Sequence, residues 1–340
     1  MSAEPAPRRS PGALAVEVTP RCNRDCLYCY NSWRAGAVPA EAPLPAATLV
    51  SLVDAALEAS GRGAAQLTGG EPLLRRDLFI IIEGLRSRGR GVSLVTDGGL
   101  VDDGVADRLR ALRVGPVQPT LLAADRLVHD GLKGARCFDD TLAGIQRLLA
   151  RKIPVTVSFV CTRLNHDRFP DVLELCCALG VRSVAFSRLC LTGAAAKHRQ
   201  ELEPDRDMIR GCLAAAEEAS VRLGMKTHVA ISLPHCAMEA GDSPHLGFGG
   251  CSLSTGMPGY TIDPWGRLRA CSVSPELLGD LRVEAWDVIV ARAREGYLRD
   301  VCAVPETCMA CAALQRCRGG CRESARAAVG GFGAMDPLVG

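Results

Sequence analysis

The 340-residue chain has little charge of one sign to spare, since 40 Lys and Arg against 38 Asp and Glu leave a formal net charge of +2. Binders of nucleic acid or of anionic membranes carry a basic stripe, and no such footprint is present. Long apolar runs are also missing. Nothing approaches the roughly 18 to 20 residues that a membrane helix needs. The N-terminal MSAEPAPRRSPG lacks the apolar stretch that would make Arg8 and Arg9 part of an export signal. There is no internal repeat, and low complexity is confined to that first dozen residues. These absences set aside nucleic acid and membrane as partners and predict a cytoplasmic protein.

What the chain does have is cysteine, 17 in all. In a reducing cytoplasm so many thiols do not make a disulfide framework; they are metal ligands or small core residues. Cys137, Cys161, Cys176, Cys177, Cys190 and Cys212 are scattered through apolar-periodic segments and read as core. The others gather at the two ends. With a 48% apolar share the chain can bury one large α/β domain plus an appendage.

From Leu14 to about Ile231 short β-rich runs (LAVEV, AAQLT, GVSLVT, VQPTLL, PVTVSFV, SVAFSRL, THVAI) alternate with amphipathic helical stretches. AATLVSLVDAALEAS is one such helix; FPDVLELCCALG is another, ending on a glycine suited to a left-handed cap. Repeated βα units make a parallel sheet, doubly wound or curled into a full or partial barrel. Chemistry then collects on the loops after the strand C-termini. After about Pro234 the chain turns Gly-, Pro- and Cys-rich, with too few periodic apolar residues for a large core, and metal–thiolate bonds are the expected staples.

CNRDCLYC places Cys22, Cys26 and Cys29 at spacings of four and three on the loop after the first strand. Tetrahedral zinc and a closed four-iron cluster each take four ligands. Three thiolates leave one iron of a [4Fe-4S] cluster open to a small molecule. This C-x3-C-x2-C pattern resembles the signature of the radical S-adenosylmethionine (radical SAM) superfamily. LTGGEPLL after the second strand resembles that family's GGEP segment, which implies that Gly69, Gly70 and Glu71 contact the methionine end of SAM. Glycines admit close backbone approach, and a carboxylate accepts from an ammonium. Thr96-Asp97-Gly98 resembles the family's TNG segment with Asp for Asn. Ser158, on the fifth strand, is a candidate ribose contact, with a satisfied strand serine as the alternative.

At the other end, Cys251, Gly266 four residues before Cys271, Gly279-Asp280-Leu281 and the C-x2-C-x5-C-x3-C run from Cys308 to Cys321 resemble the SPASM extension of radical SAM peptide maturases. That resemblance implies two auxiliary iron–sulfur clusters, one on Cys251, Cys271 and Cys321 and one on Cys308, Cys311 and Cys317, with zinc on the CMAC pair as the alternative. The implied fold is a partial (β/α)6 barrel over residues 14–233, a SPASM domain over 234–340 and a disordered stretch over 1–13.

The chain departs from the family in places. Leu122 stands where relatives often have Asp. Val339 stands where the last ligand of the second auxiliary cluster would be, which implies an open or exchangeable iron there, with Asp336, Cys302 or an external ligand as candidates. Glu323, two residues after Cys321, where some relatives carry another cysteine, is read as a solvated helix carboxylate, with a ligand as the alternative. Cys236, Cys302, His235 and His245 have no family slot.

The resemblance implies a maturase that forms a 5′-deoxyadenosyl radical from SAM and abstracts hydrogen from a ribosomally made peptide to install a cross-link or other modification. The alternatives are action on a small molecule, such as oxidative decarboxylation of a tetrapyrrole-type side chain, and a non-enzymatic zinc scaffold. Expected partners are the peptide, a flavodoxin- or ferredoxin-type electron donor and a separate leader-binding protein, because only about a dozen residues precede the first strand.

Overall fold

The computed structural model describes residues 12–32, 38–239, 241, 243–255 and 258–339. The stretch expected to be disordered, 1–13, lies almost entirely outside them. Seven strands alternate with helices from the N-terminus: β1 Leu14–Thr19, β2 Ala64–Gly69, β3 Gly91–Thr96, β4 Val117–Pro119, β5 Thr156–Cys161, β6 Ser183–Arg188 and β7 Lys226–Val229. β1 to β4 pair in parallel in sequence order, as do β5 to β7. Each of these strands is read at its expected place, but β4 is shorter than VQPTLL because Pro119 has no N–H for the ladder. Two isolated parallel bridges, Val117 to Val155 and Thr120 to Ser158, carry the curved sheet across that gap.

The crossover helices bury one apolar stripe each. In α1, Ala46–Ala59, it is Leu49, Val50, Val53 and Leu57; in α2, Leu78–Ser87, it is Leu78, Ile81, Ile82 and Leu85. α3 (Asp103–Ala111), α4 (Arg126–Lys133), α5 (Phe138–Ala150) and α6 (Phe169–Leu179) follow. Gly180 ends α6 at φ 90, the left-handed cap expected from sequence. Phe159, Phe169 and Phe186 pack with ring centroids 4.4 to 6.2 Å apart inside β5, β6 and α6. Each such side chain stabilises the fold by about 1.5–3 kcal/mol.

The C-terminal region continues the same sheet. β8 (Thr261–Ile262) pairs in parallel with β1 through Ala15–Thr261 and Val16–Ile262; β9 (Arg267–Arg269) and β10 (Leu277–Asp280) then add antiparallel strands. The sheet order is β10-β9-β8-β1-β2-β3-β4. A buried ion pair from Arg269 on β9 to Glu17 on β1 crosses the seam, and one apolar core runs from Leu14 to Leu338. No helix among the described residues is long and apolar enough to cross a membrane.

Candidate active site

The C-terminal ends of β1 to β4 open into one cleft, lined by Cys22, Arg24, Cys26, Tyr28, Cys29, Asn31, Gly69, Gly70, Glu71, Thr96, Asp97, Thr120 and Lys133. The cysteine loop takes its shape from backbone bonds. Asp25 N–H and Leu27 N–H donate to the carbonyls of Lys133 and Leu132 at the end of α4, at 3.2 and 3.1 Å, and Ala195 N–H donates to the Cys29 carbonyl at 3.2 Å. Gly70 N–H and Glu71 N–H donate to Thr19 and Arg21, both at 2.8 Å.

The glycine pair has a packing role beyond the sequence expectation. A Cβ on Gly70 would collide with the Arg21 carbonyl, and one on Gly69, at φ +134, with that of Thr19. The two glycines let the GGE segment press against the cysteine loop itself, and both line the cleft.

Glu71 is only 1% exposed. Its Oε1 accepts from Leu73 N–H (3.0 Å) and Thr96 Oγ1–H (2.8 Å), and its Oε2 accepts from Asp97 N–H (2.7 Å). A carboxylate has about four acceptor positions, so one on Oε2 remains. Burial, and after it the Asp97 charge, pushes this carboxyl up to about 7 against the pull of those three bonds. Asp97 accepts from the Arg24 guanidinium and from Gly99 N–H.

Two polar groups facing the cleft have no partner among the described residues. Lys133, 1% exposed at the end of α4, makes no side-chain hydrogen bond or ion pair. Asn31 donates through Nδ2 to the Gly69 carbonyl at 2.8 Å while its buried Oδ1 is unpaired. A buried cation and an orphaned acceptor beside three thiols are costly unless a ligand meets them. Neither was found from sequence. Gly98 and Ser158 are not among the residues that line the cleft: Gly98 N–H donates to Thr96 Oγ1, and Ser158 pairs in a β-bridge with Thr120, which does line it.

The C-terminal cysteines fall into two groups. Cys321 lies beside Cys251, and Cys271 lies beside both; burial first, then these neighbours, pushes the Cys321 thiol up to about 11 and that of Cys271 up to about 12. The buried Cys190, read from sequence as core, also has Cys321 and Cys271 for neighbours. Cys308, Cys311 and Cys317 line a second, apolar pocket. The raised thiols of Cys271 and Cys321 must release protons to bind metal.

Three expectations are corrected here. Glu323 is not solvated: it is 2% exposed, accepting from the Tyr297 hydroxyl and from Arg326 at 2.9 Å. Asp336 is not available to an iron, because its carboxylate accepts twice from Arg188, at 2.8 and 2.7 Å, and from Cys321 N–H at 2.9 Å. Cys302 is turned away from both groups, toward the Leu253 carbonyl. His245 is a surface partner of Glu217.

Among the described residues, no three cysteines bring their sulfurs all within 4.8 Å of one another. Zinc, with Zn–S bonds of about 2.3 Å, needs them roughly 3.8 Å apart, closer than any cysteine trio among the described residues. The group that does lie within 4.8 Å, His129, Asp130 and Cys137, ties α4 to the start of α5: Asp130 accepts from Cys137 N–H and Phe138 N–H at 2.9 Å. Burial, then Lys133, holds His129 down to about 3.

This arrangement of loops defines a class. Residues 16–176 match the Radical SAM superfamily; the chain carries a radical SAM domain and is a SAM-cleaving enzyme. Among curated proteins it is similar to the PqqA peptide cyclases of Gluconobacter oxydans (28% identical, over 96% of this chain and 90% of that one) and Xanthomonas campestris pv. campestris (27%, over 96% and 86%). Solved structures with the same fold include native anSMEcpe with bound AdoMet (TM-score 0.72, 16% identity, 96% of this chain and 93% of that one). Another is Streptococcus suis SuiB bound to S-adenosylmethionine (0.73, 16%, 97% and 77%), a protein also solved with its precursor peptide SuiA (0.72, 14%, 97% and 76%).

Proposed function

We propose that this enzyme is a radical SAM peptide maturase with a SPASM region, acting in the cytoplasm on a ribosomally made peptide. The observation that carries the site is the cleft itself, where a three-cysteine loop, a buried carboxylate with one acceptor position left and a buried unpaired ammonium converge. Opposite charges lining one cleft complement the zwitterionic end of an amino acid. In this reading Cys22, Cys26 and Cys29 hold the [4Fe-4S] cluster, Glu71 Oε2 accepts from the SAM ammonium, Lys133 meets the carboxylate and Asn31 Oδ1 takes a further N–H or O–H. With Thr96 and Asp97 held by Glu71, the walls are fixed before ligand arrives. When bound, the reduced cluster and SAM supply a 5′-deoxyadenosyl radical, which takes a hydrogen atom from substrate.

The peptide assignment rests on the relatives named as peptide cyclases, aligned over 96% of this chain. A separate leader-binding protein and a flavodoxin- or ferredoxin-type donor complete the proposed system. Over 234–340, Cys251, Cys271 and Cys321 hold one auxiliary cluster and Cys308, Cys311 and Cys317 the other. Anaerobic incubation with SAM, reductant and the peptides encoded beside this gene should give a discrete mass change in one of them. SAM cleavage that leaves every peptide unchanged but oxidises a small carboxylated molecule would favour the small-molecule reading.

The Glu71 environment predicts a pH dependence. A carboxyl titrating near 7 must be ionised to accept from an ammonium, so SAM affinity is full above that pH and falls below it. Calorimetry should show binding roughly fivefold weaker at pH 6 than at pH 7. A Glu71→Gln variant should bind weakly with little change over that range; a wild-type profile in that variant would remove Glu71 from the ammonium site.

A further inference from the structure

We propose that Cys236 is the fourth thiolate ligand of the second auxiliary cluster, so that this cluster is closed and carries no exchangeable iron. The inference rests on the assignment of Cys308, Cys311 and Cys317 to that cluster and goes beyond it.

The pocket that holds those three cysteines is lined on another side by Pro234, His235 and Cys236, from the turn after β7 and a one-turn helix, His235–Met238, and by Val339 from the C-terminus. Val339 lies at the position of the expected cysteine, so its apolar side chain faces the site without being able to ligate. Cys236 enters the same pocket from a segment more than seventy residues upstream of Cys308. The segment is tied to the site by a backbone bond, since His235 N–H donates to Cys317 Sγ at 3.4 Å. Cys236 is also an electrostatic neighbour of Cys308, alongside Cys317 and Cys311.

The other candidates are engaged elsewhere. Asp336 is saturated by Arg188 and two backbone N–H groups, and Cys302 faces Leu253. His235 remains as a competitor, because its buried Nε2 has no partner. Its ring packs edge-on against Phe248 with centroids 5.7 Å apart, and a substitution at His235 separates the two candidates. Four thiolates from one pocket are the common ligand set of a four-iron cluster. An exposed cysteine with no such role is a site of oxidation.

The test uses the full chain, reconstituted anaerobically in a background with Cys22, Cys26 and Cys29 replaced by serine so that only auxiliary signals remain. Iron and sulfide counting, Mössbauer and electron paramagnetic resonance spectra are compared for that background and for added Cys236→Ala, Cys236→Ser, His235→Gln or Cys308→Ala. The expected result is loss of roughly one iron in Cys236→Ala, with a three-iron signal on oxidation. Cys236→Ser should keep the iron but shift the signal, because an oxygen replaces the sulfur, and the parent's signal should not respond to an added small thiol. His235→Gln should leave the iron count unchanged. Unaltered spectra in both Cys236 variants, or iron loss in His235→Gln instead, would overturn the proposal. If Cys308→Ala also left iron and spectra unchanged, the underlying cluster assignment would fail, an outcome distinct from failure at Cys236 alone. The signal of the other auxiliary cluster reports in every variant whether the chain has folded.

Discussion

Replacing Cys26 with alanine should abolish 5′-deoxyadenosine formation while the iron on the C-terminal cysteines stays in place. Changing a partner that merely orients a metal ligand costs 10- to 100-fold, so removing the ligand itself should cost on the order of a hundredfold or more. Cys26 lies between the other two thiols of the loop, and its carbonyl accepts from Cys29 N–H at 3.2 Å. Alanine keeps that backbone bond and the anchors to Lys133 and Leu132, so the expected loss is chemical and the fold remains. The measurement is 5′-deoxyadenosine by chromatography beside iron per chain, which should fall by roughly four. Wild-type cleavage with that iron gone would mean that the cleft at β1 to β4 is not where SAM reacts.

Asp336→Ala should produce the largest loss of stability. The side chain is fully buried and holds the Arg188 guanidinium, itself 5% exposed, at 2.7 Å, and it also accepts from the backbone of Cys321 and Leu338. Removing one member of a buried pair leaves an uncompensated charge and costs about 3–5 kcal/mol. Two orphaned N–H groups add about 1–3 kcal/mol each if water cannot reach them. Thermal or urea unfolding of the anaerobic protein measures the effect. A double variant, Arg188→Met with Asp336→Ala, should recover much of the loss, since the stranded cation is gone. If the single variant is as stable as wild type, water reaches Arg188 and the pair is not the link between β6 and the C-terminal segment.

How much of this was legible before the fold is best seen residue by residue. Cys22, Cys26 and Cys29 were legible because ligands on one short loop are local in sequence; so were the seven parallel strands, whose apolar runs are continuous. GGE was found, but the reason for its glycines was not, since the carbonyls they must avoid belong to Thr19 and Arg21, some fifty residues away. Lys133 looks like any lysine at the end of an amphipathic helix, and only tertiary packing turns it inward. Glu323 and Asp336 read as a solvated carboxylate and a candidate ligand because their partners, Tyr297 and Arg188, are remote. Cys236 had no slot in a pattern defined by spacing, yet it shares a pocket with cysteines that the chain reaches only after another three strands.

The strand β8 carries a consequence for how the molecule is divided. By sequence, a boundary falls near residue 233, yet β8 continues the hydrogen-bond ladder on the side of β1 opposite β2. A chain ending at that boundary would present β1 as a raw edge, with a row of backbone donors and acceptors facing water and the Glu17 carboxylate stripped of Arg269. Open edges of that kind recruit strands from other copies. The cysteine-rich tail therefore also serves as the cover that keeps the barrel's first strand from templating self-association.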